Sequence, residues 1–294
     1  MSPSPRPLSL AAISDEFSPD PGVAFPAMAG VGMRGAELRV INGRNIIDLS
    51  DEEVDAVRVL AEAHGIQILG IASPLLKCDL PSGSKIDPRL QRDIFGAAYT
   101  LADQPRLTRR AFEIAKRSGA RMIRVFSYWR AESPALVLEE VASTLVDLAE
   151  QAGRHGLLIA VENEHACNIA TGHEAARLLT VANHPALTLI WDPANALVAG
   201  EEAFPEGYEK LPSGRIGHVH VKDCRMQNGV PVWGPVGEMD VDWDGQLRAL
   251  VRDGYTGWLS LETHWKGPHG DKLEASTICG ENLRRLTERL HVEM

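Results

Sequence analysis

Short apolar, β-branched runs alternate along this chain with longer stretches patterned for helix. The runs cover residues 8–13, 36–41, 66–72, 122–126, 157–161, 187–191, 216–221 and 258–261. That makes eight predicted strands, each followed by enough chain for a crossover helix. Ser50 with Glu53 and Thr171 with Glu174 are capping-box pairs that open helices. Asp87-Pro88 and Ser133-Pro134 each set a cap residue before a proline at the first helical position. After Ser133, the residues Leu138, Val141, Leu145, Leu148 and Ala152 fall on one helical face. Gly65, Gly119, Gly156 and Gly254 close helices just before the next strand.

Strict β–α alternation implies a parallel sheet with helices outside it. Eight units predict a closed (β/α)8 TIM barrel, one domain over residues 8–294, behind a flexible tail at 1–7. A doubly wound open sheet is the structural alternative. No glycine-rich phosphate fingerprint follows the first run, which counts against a dinucleotide-binding sheet. The longest segments without pattern, 74–88 and 224–240, follow strands and so belong to the C-terminal face, where barrels keep their active sites.

Composition narrows the function. Of 294 residues 44% are hydrophobic, enough for a large core, yet no apolar run is long enough to cross a bilayer. The polar, Pro-containing start lacks the pattern of a signal peptide. Cys78, Cys167, Cys224 and Cys279 are far apart, which argues against a disulfide framework or a structural zinc and for the cytoplasm. A formal net charge of −10 argues against nucleic acid as a partner.

The chemistry is sought at the strand ends. The fifth strand ends in Glu162-Asn163-Glu164-His165, the sixth in Trp191-Asp192-Pro193-Ala194-Asn195, the seventh in His218-Val219-His220-Val221-Lys222-Asp223, and the eighth in Leu261-Glu262-Thr263-His264. Four successive strands thus bring Glu, Asp, His and Glu to one rim. Three carboxylates and an imidazole, with no thiolate, suit a hard to borderline divalent cation. His218 and His220 share a strand face, and His220 is nearer the rim. Lys222 points the same way, towards a substrate oxygen. Each residue has a plainer reading: Asp192 as a helix cap, His218 as a buried supporting histidine, Glu164 and His165 as loop residues, and Trp191 and Trp258 as packing. The conjunction on four strands is what capping does not explain.

These residues carry a family resemblance. Gly35-Ala36-Glu37, Val161-Glu162-Asn163, Trp191-Asp192-Pro193-Ala194-Asn195, His218-Val219-His220-Val221-Lys222-Asp223, Gly237 to Trp243 and Leu261-Glu262 make the chain similar to the sugar phosphate isomerase/epimerase superfamily, with its xylose isomerase-like barrel. The chain resembles the ketose 3-epimerase and inosose dehydratase branches especially. The resemblance implies Glu162, Asp192, His220 and Glu262 as ligands of one divalent metal, Mn²⁺ first, with Mg²⁺ or Co²⁺ as alternatives. It implies Glu162 and Glu262 as the acid–base pair acting on a small polyhydroxylated carbonyl compound through an enediolate. The expected activity is isomerase or epimerase on a small sugar. A lyase acting on a keto-sugar or keto-inositol is the alternative, ahead of an apurinic endonuclease or a non-catalytic metal-binding subunit. Association into a homodimer or homotetramer through barrel helices also follows from the resemblance.

Two positions depart from the epimerase pattern: Asn195 stands where a histidine is usual, and Asn168 where a substrate-contacting glutamate is usual. The substrate-facing set is expected to be Glu37, Arg124, Asn168, Asn195, His218 and Lys222. Arg39, Ser73, Ser127, Tyr128 and Trp129 are further candidates at the rim.

Overall fold

Side chains along a strand alternate between two faces, and in a closed barrel one face looks inward and the other meets the helices. The computed structural model of the protein describes residues 8–89 and 98–293. Its eight parallel barrel strands are β1 (Ser9–Ile13), β2 (Gly35–Leu38), β3 (Gln67–Ala72), β4 (Met122–Val125), β5 (Leu158–Glu162), β6 (Leu187–Trp191), β7 (Ile216–Val221) and β8 (Trp258–Leu261). β1 pairs with both β2 and β8, which closes the ring.

The outward residues Ile123, Val125, Ile159, Val161, Leu189, Trp191, Val219, Val221, Leu259 and Leu261 all belong to the main buried core. On the other face, Met122, Ala160 and Ile190 form a small apolar cluster of their own. Two residues further along the same strands come Arg124, Glu162 and Asp192. The inside of the barrel therefore changes from apolar to charged within one step of the strand repeat, at the end where the chain turns into its βα loops.

Among the described residues the longer helices are α1 (Pro21–Gly30), α2 (Asp51–Ala63), α3 (Gln104–Ser118), α4 (Leu138–Gly153), α5 (Gly172–Val181), α6 (Pro193–Val198), α7 (Trp243–Arg252) and α8 (Lys272–Glu293). Both capping boxes form: Ser50 with Glu53 opens α2, and Thr171 with Glu174 opens α5. Gly65, Gly119, Gly156 and Gly254 all take positive φ, between 66° and 79°, a conformation that closes a helix without a Cβ penalty. At Gly35 the reason for glycine is space. A Cβ there would lie 2.5 Å from Leu69 and 2.9 Å from Trp258.

Three expectations change. The second strand leaves the barrel after Leu38; Val40–Ile41 instead pairs antiparallel with Arg44–Asn45 around Asn42-Gly43, both at positive φ. The segment 224–240 is partly ordered as a hairpin, Asp223–Gln227 against Val230–Gly234, turning on Asn228-Gly229, again both at positive φ. An Asn-Gly pair is the favoured sequence for such tight hairpin turns, and apolar content alone hid both. Ser133 does not cap α4: a 3-10 turn, Pro134–Leu136, comes first, and the Ser133 side chain makes no cap bond. The helix expected after Asp87-Pro88 falls on residues 90–97, which lie outside the described residues. Asp87 accepts the Arg89 backbone N–H, and the described crossover helix α3 begins at Gln104. The four cysteines are buried free thiols. Among the described residues no helix is long and apolar enough to cross a membrane.

Candidate metal centre

Glu162 closes β5, His220 lies within β7, and Asp192 and Glu262 each follow directly on a strand, β6 and β8. All four are buried, and one ligand atom from each falls within 4.8 Å of the others. Asp192 does two jobs at once. Its Oδ1 accepts the Asn195 backbone N–H at 2.9 Å and caps α6, while Oδ2 faces the cluster.

Buried polar atoms nearly always find hydrogen bonds. Here Glu162 Oε2, Asp192 Oδ2 and His220 Nδ1 have none. His220 Nδ1 lies 3.3 Å from Glu162 Oε1 and 3.4 Å from Glu262 Oε2. Asp192 Oδ2 is 2.8 Å from Lys222 Nζ, an ion pair without hydrogen-bond alignment. Three orphaned acceptors converging in one buried place fit a cation. Charge leads the same way. Glu37, Glu162, Asp192 and Glu262 are met by Lys222 and Arg124, and once the His220 proton is displaced the carboxylates outnumber these two cations, an excess of negative charge that a divalent ion would offset. Arg39 also reaches Glu262, at 3.0 Å, but it belongs to a balanced group with Asp15, Glu16 and Lys272.

The pKa shifts express this crowding. Burial, reinforced by Glu162 and Glu262, pushes Asp192 up to about 6 despite the Lys222 ammonium. Burial also opposes ionisation of Glu262, but Lys222, His220 and Arg39 overcome it and hold that carboxyl well below its usual range. His220 is the reverse: burial disfavours its charge, yet Glu37, Glu162 and Glu262 raise its pKa well above the ordinary value. A proton on Nδ1 and a metal ion would occupy the same place, so each excludes the other.

The far side of His220 is tied down. Glu37 Oε1 receives His218 Nε2 at 2.9 Å, His220 Nε2 at 3.0 Å and the Ser260 hydroxyl at 2.6 Å. Glu37 and His218 are both buried. Of the two residues expected to face substrate, Glu37 Oε1 and His218 Nε2 are bonded to each other, and Glu37 Oε1 also holds the Nε2 side of His220. Asn168, also expected to face substrate, is bonded to backbone. Its amide donates to the carbonyls of Ser127 and Trp129 and its oxygen accepts the Ala131 N–H, so it pins the loops after β4 and β5 together. Ser73 and Ser127 are likewise used by backbone, through Arg124 O and Ile169 N.

Lys222, Arg124 and Asn195 do reach the cluster. Lys222 Nζ is 3.0 Å from Glu262 Oε2, Arg124 Nη1 3.3 Å from Glu162 Oε2, and Asn195 Nδ2 3.3 Å from Glu162 Oε1. Arg124 Nε is a buried donor with no partner. Aromatic rings stand by these cations. The Arg124 guanidinium and the Lys77 ammonium lie 4.7 and 4.6 Å from the Phe126 ring centre, and Trp233 of the hairpin stacks on His264 and approaches Lys222. Sequence reasoning passed over Lys77 and Trp233, which sit in the βα loops. A cavity of about 520 Å³ lies elsewhere, at the N-terminal end of β7, where Arg252 is paired with Glu209 and Asp253.

A family model described as a xylose isomerase-like TIM barrel matches residues 25–288. Among curated proteins, the chain is 26% identical over 163 residues to the rhizopine catabolism protein MocC of Rhizobium meliloti, covering 50% of this chain and 49% of that one. It is 25% identical over 139 residues to an inosose dehydratase of Lacticaseibacillus casei, 42% and 46% of the two chains. The matches span about half the length of these relatives. Among solved structures, a xylose isomerase-like TIM barrel/4-hydroxyphenylpyruvate dioxygenase fusion protein superposes with a TM-score of 0.74 at 22% identity, over 98% of this chain and 44% of that one. A xylose isomerase-like TIM barrel protein from Mycobacterium smegmatis, solved with magnesium, gives 0.70 at 16% identity over 97% of each chain. At these identities the structural likeness is one of fold.

Proposed function

The chain belongs to the xylose isomerase-like TIM barrel family, and from that premise we propose that it is a divalent-metal-dependent enzyme that removes a proton beside the carbonyl of a small polyhydroxylated ketone. The observation that carries this reading is the convergence of three orphaned acceptors, Glu162 Oε2, Asp192 Oδ2 and His220 Nδ1, with Glu262 beside them. These four residues would hold the ion, Mn²⁺ first and Mg²⁺ or Co²⁺ otherwise. When bound, a divalent cation supplies Lewis acidity to a carbonyl and its neighbouring hydroxyl, making the adjacent C–H more acidic.

The remaining work falls to side chains. Glu162 and Glu262 flank His220 Nδ1 from two strands and are the pair that takes and returns the proton. Lys222 and Arg124 offer positive charge to substrate oxygens in a site shut off from water, where such charge acts most strongly. Return of the proton gives an epimer or an isomer of a small sugar. Loss of a β-hydroxyl instead gives dehydration of a keto-inositol or keto-sugar. Dehydration is favoured, because Asn195 and the engaged Asn168 take the place of two titratable substrate contacts of the ketose epimerases, and inosose dehydratases are among the relatives.

The test is incubation with Mn²⁺ and a panel of ketoses, aldoses and keto-inositols in D₂O, followed by proton NMR after chelation, with Glu162→Gln as control. Deuterium beside the carbonyl in the wild-type protein alone is the expected result. No exchange with any of them would overturn the reading.

Metal affinity should also depend on pH in one direction. Asp192 must be ionised to act as a ligand, and its pKa is about 6. Apparent Mn²⁺ affinity should therefore fall on acidification, with protons released on binding: above that value only the His220 proton is displaced, and below it the Asp192 proton steepens the fall by roughly a further tenfold per pH unit. Calorimetry at pH 5, 6 and 7 in buffers of different ionisation heat reads both. An affinity independent of pH would exclude Asp192 from the ligand set.

A further inference from the structure

Just outside the four-residue cluster, at the end of β5, lies a second set of ionisable groups that the proton transfer above does not use. His165 Nδ1 is 3.0 Å from Glu164 Oε1 and 3.1 Å from Asn195 Oδ1. The orientation of the Asn195 amide is fixed, because its Nδ2 donates to Asn163 O at 2.9 Å and reaches Glu162 Oε1 at 3.3 Å. Both neighbours of Nδ1 are thus acceptors, and Nδ1 must carry the hydrogen. That leaves Nε2 as the working nitrogen, and among the described residues nothing bonds to it. The His165 side chain is 32% exposed, while Glu164 behind it is buried. A buried carboxylate holding the rear nitrogen of a histidine whose front is open is the arrangement that makes an imidazole a proton donor and acceptor. Burial works against a charged His165, and the Glu164 carboxylate outweighs it.

We propose that His165, held by Glu164 and Asn195, is the general acid that protonates the departing hydroxyl, and that the site is thereby built for β-elimination. The proposal rests on the enolate reading above. In the first step the C–H bond beside the carbonyl breaks, its proton goes to the carboxylate of Glu162 or Glu262, and its electron pair delocalises onto the carbonyl oxygen. In the second the carbonyl re-forms, the pair becomes the new C=C bond, and the β C–O bond breaks with its electrons on oxygen. That oxygen takes the Nε2 proton of His165 and leaves as water. His165 recovers a proton from solvent, the carboxylate gives its own up, and the net change is loss of one water. An epimerisation has no leaving group and no use for such an acid. The two outcomes therefore differ at a residue on the page.

The experiment separates the two steps with 2-keto-inositol as substrate and Mn²⁺ present. Wild-type protein is expected to exchange the proton beside the carbonyl in D₂O and to form the dehydrated product. His165→Gln should keep exchange within about threefold and lose product formation by roughly 10²- to 10⁴-fold, the usual worth of a positioned acid. A β-fluoro analogue, whose leaving group needs no proton, should be eliminated by His165→Gln nearly as fast as by wild type. Glu164→Gln, which keeps the imidazole, should lose product formation by about tenfold with exchange intact. Mn²⁺ affinity of each variant shows that the cluster is undisturbed. The proposal is overturned if exchange and elimination fall together by the same factor, if His165→Gln dehydrates at the wild-type rate, or if the fluoro analogue is no better handled. Failure of the wild-type protein itself to exchange would overturn the enolate reading first, and the role of His165 with it.

Discussion

An Asp192→Asn protein should be more stable than the wild type at pH 8 without metal, and should lose both its response to Mn²⁺ and its activity. Asparagine is as good an N-cap as aspartate, so the bond from the Asn195 N–H that opens α6 survives. What disappears is a buried negative charge beside two others. The folded pKa of Asp192, about 6, is raised above its ordinary value. The stability this group contributes is therefore fully present below about pH 4 and lost as pH rises through 6. At pH 8 the wild-type protein bears the whole cost, up to about 3 kcal/mol, whereas the asparagine variant bears only the smaller one of turning its NH₂ group toward Lys222 Nζ, which lies 2.8 Å from Oδ2 in the wild type.

Lys222 keeps Glu262 as a partner at 3.0 Å, so no lone ammonium is left. The metal side changes the other way. An ion that binds only the folded state stabilises it by about 4 kcal/mol when free metal exceeds its Kd a thousandfold. With one anionic ligand gone most of that should vanish, and activity should fall roughly 10³-fold, about 4 kcal/mol of transition-state stabilisation. Thermal unfolding at pH 5 and pH 8, with and without Mn²⁺, reads both terms. If the variant is less stable than wild type at pH 8, or gains as much from Mn²⁺, Asp192 is a structural cap and not a ligand.

How far the chain could be read in advance follows from the same physics. β6, β7 and β8 appear where their apolar runs place them, because a strand buried on both faces is a continuous apolar segment. Their ends then locate Asp192, His220 and Glu262. The supports were hidden for a different reason. Glu37 and His220 are 183 positions apart, and Arg39 and Glu262 are 223 apart. Those bonds cross the inside of the barrel and depend on tilt and register, including a shift in the β2–β3 pairing beside Glu37. Neither is visible in one sequence. Asn168 shows the converse hazard: spacing placed it correctly, but the loop after β5 turns its amide onto backbone. His165 was readable as a rim residue, while its pairing with both Glu164 and Asn195 needed α6 folded against the end of β5.

Glu37→Gln should weaken Mn²⁺ binding by about 10- to 100-fold, although Glu37 touches no metal-facing atom, because a partner behind a ligating histidine sets its tautomer and basicity. In the wild type both histidines and Ser260 direct hydrogens at Glu37, and that carboxyl is held well below its usual range: burial opposes this, and the two histidines outweigh it. With Nε2 protonated, Nδ1 of His220 is free to offer its lone pair to the cluster. Glutamine replaces one acceptor oxygen by an NH₂ group, which confronts an Nε2–H with another donor. One buried donor is left unsatisfied, and unfolding stability should drop by about 1–3 kcal/mol.

A structural defect alone would weaken metal binding equally at every pH. The positioning role predicts otherwise. Glu37 is the largest influence raising the His220 pKa, and without it a proton competes less well for Nδ1. The sign is then fixed: the wild type loses more affinity on acidification than Glu37→Gln, so the gap between them should narrow as pH falls from 8 to 6. Ser260→Ala, which removes one donor and leaves the carboxylate, should shift affinity little. A gap that stays constant with pH, or Glu37→Gln affinity equal to wild type, would show that β7 packing alone orients His220.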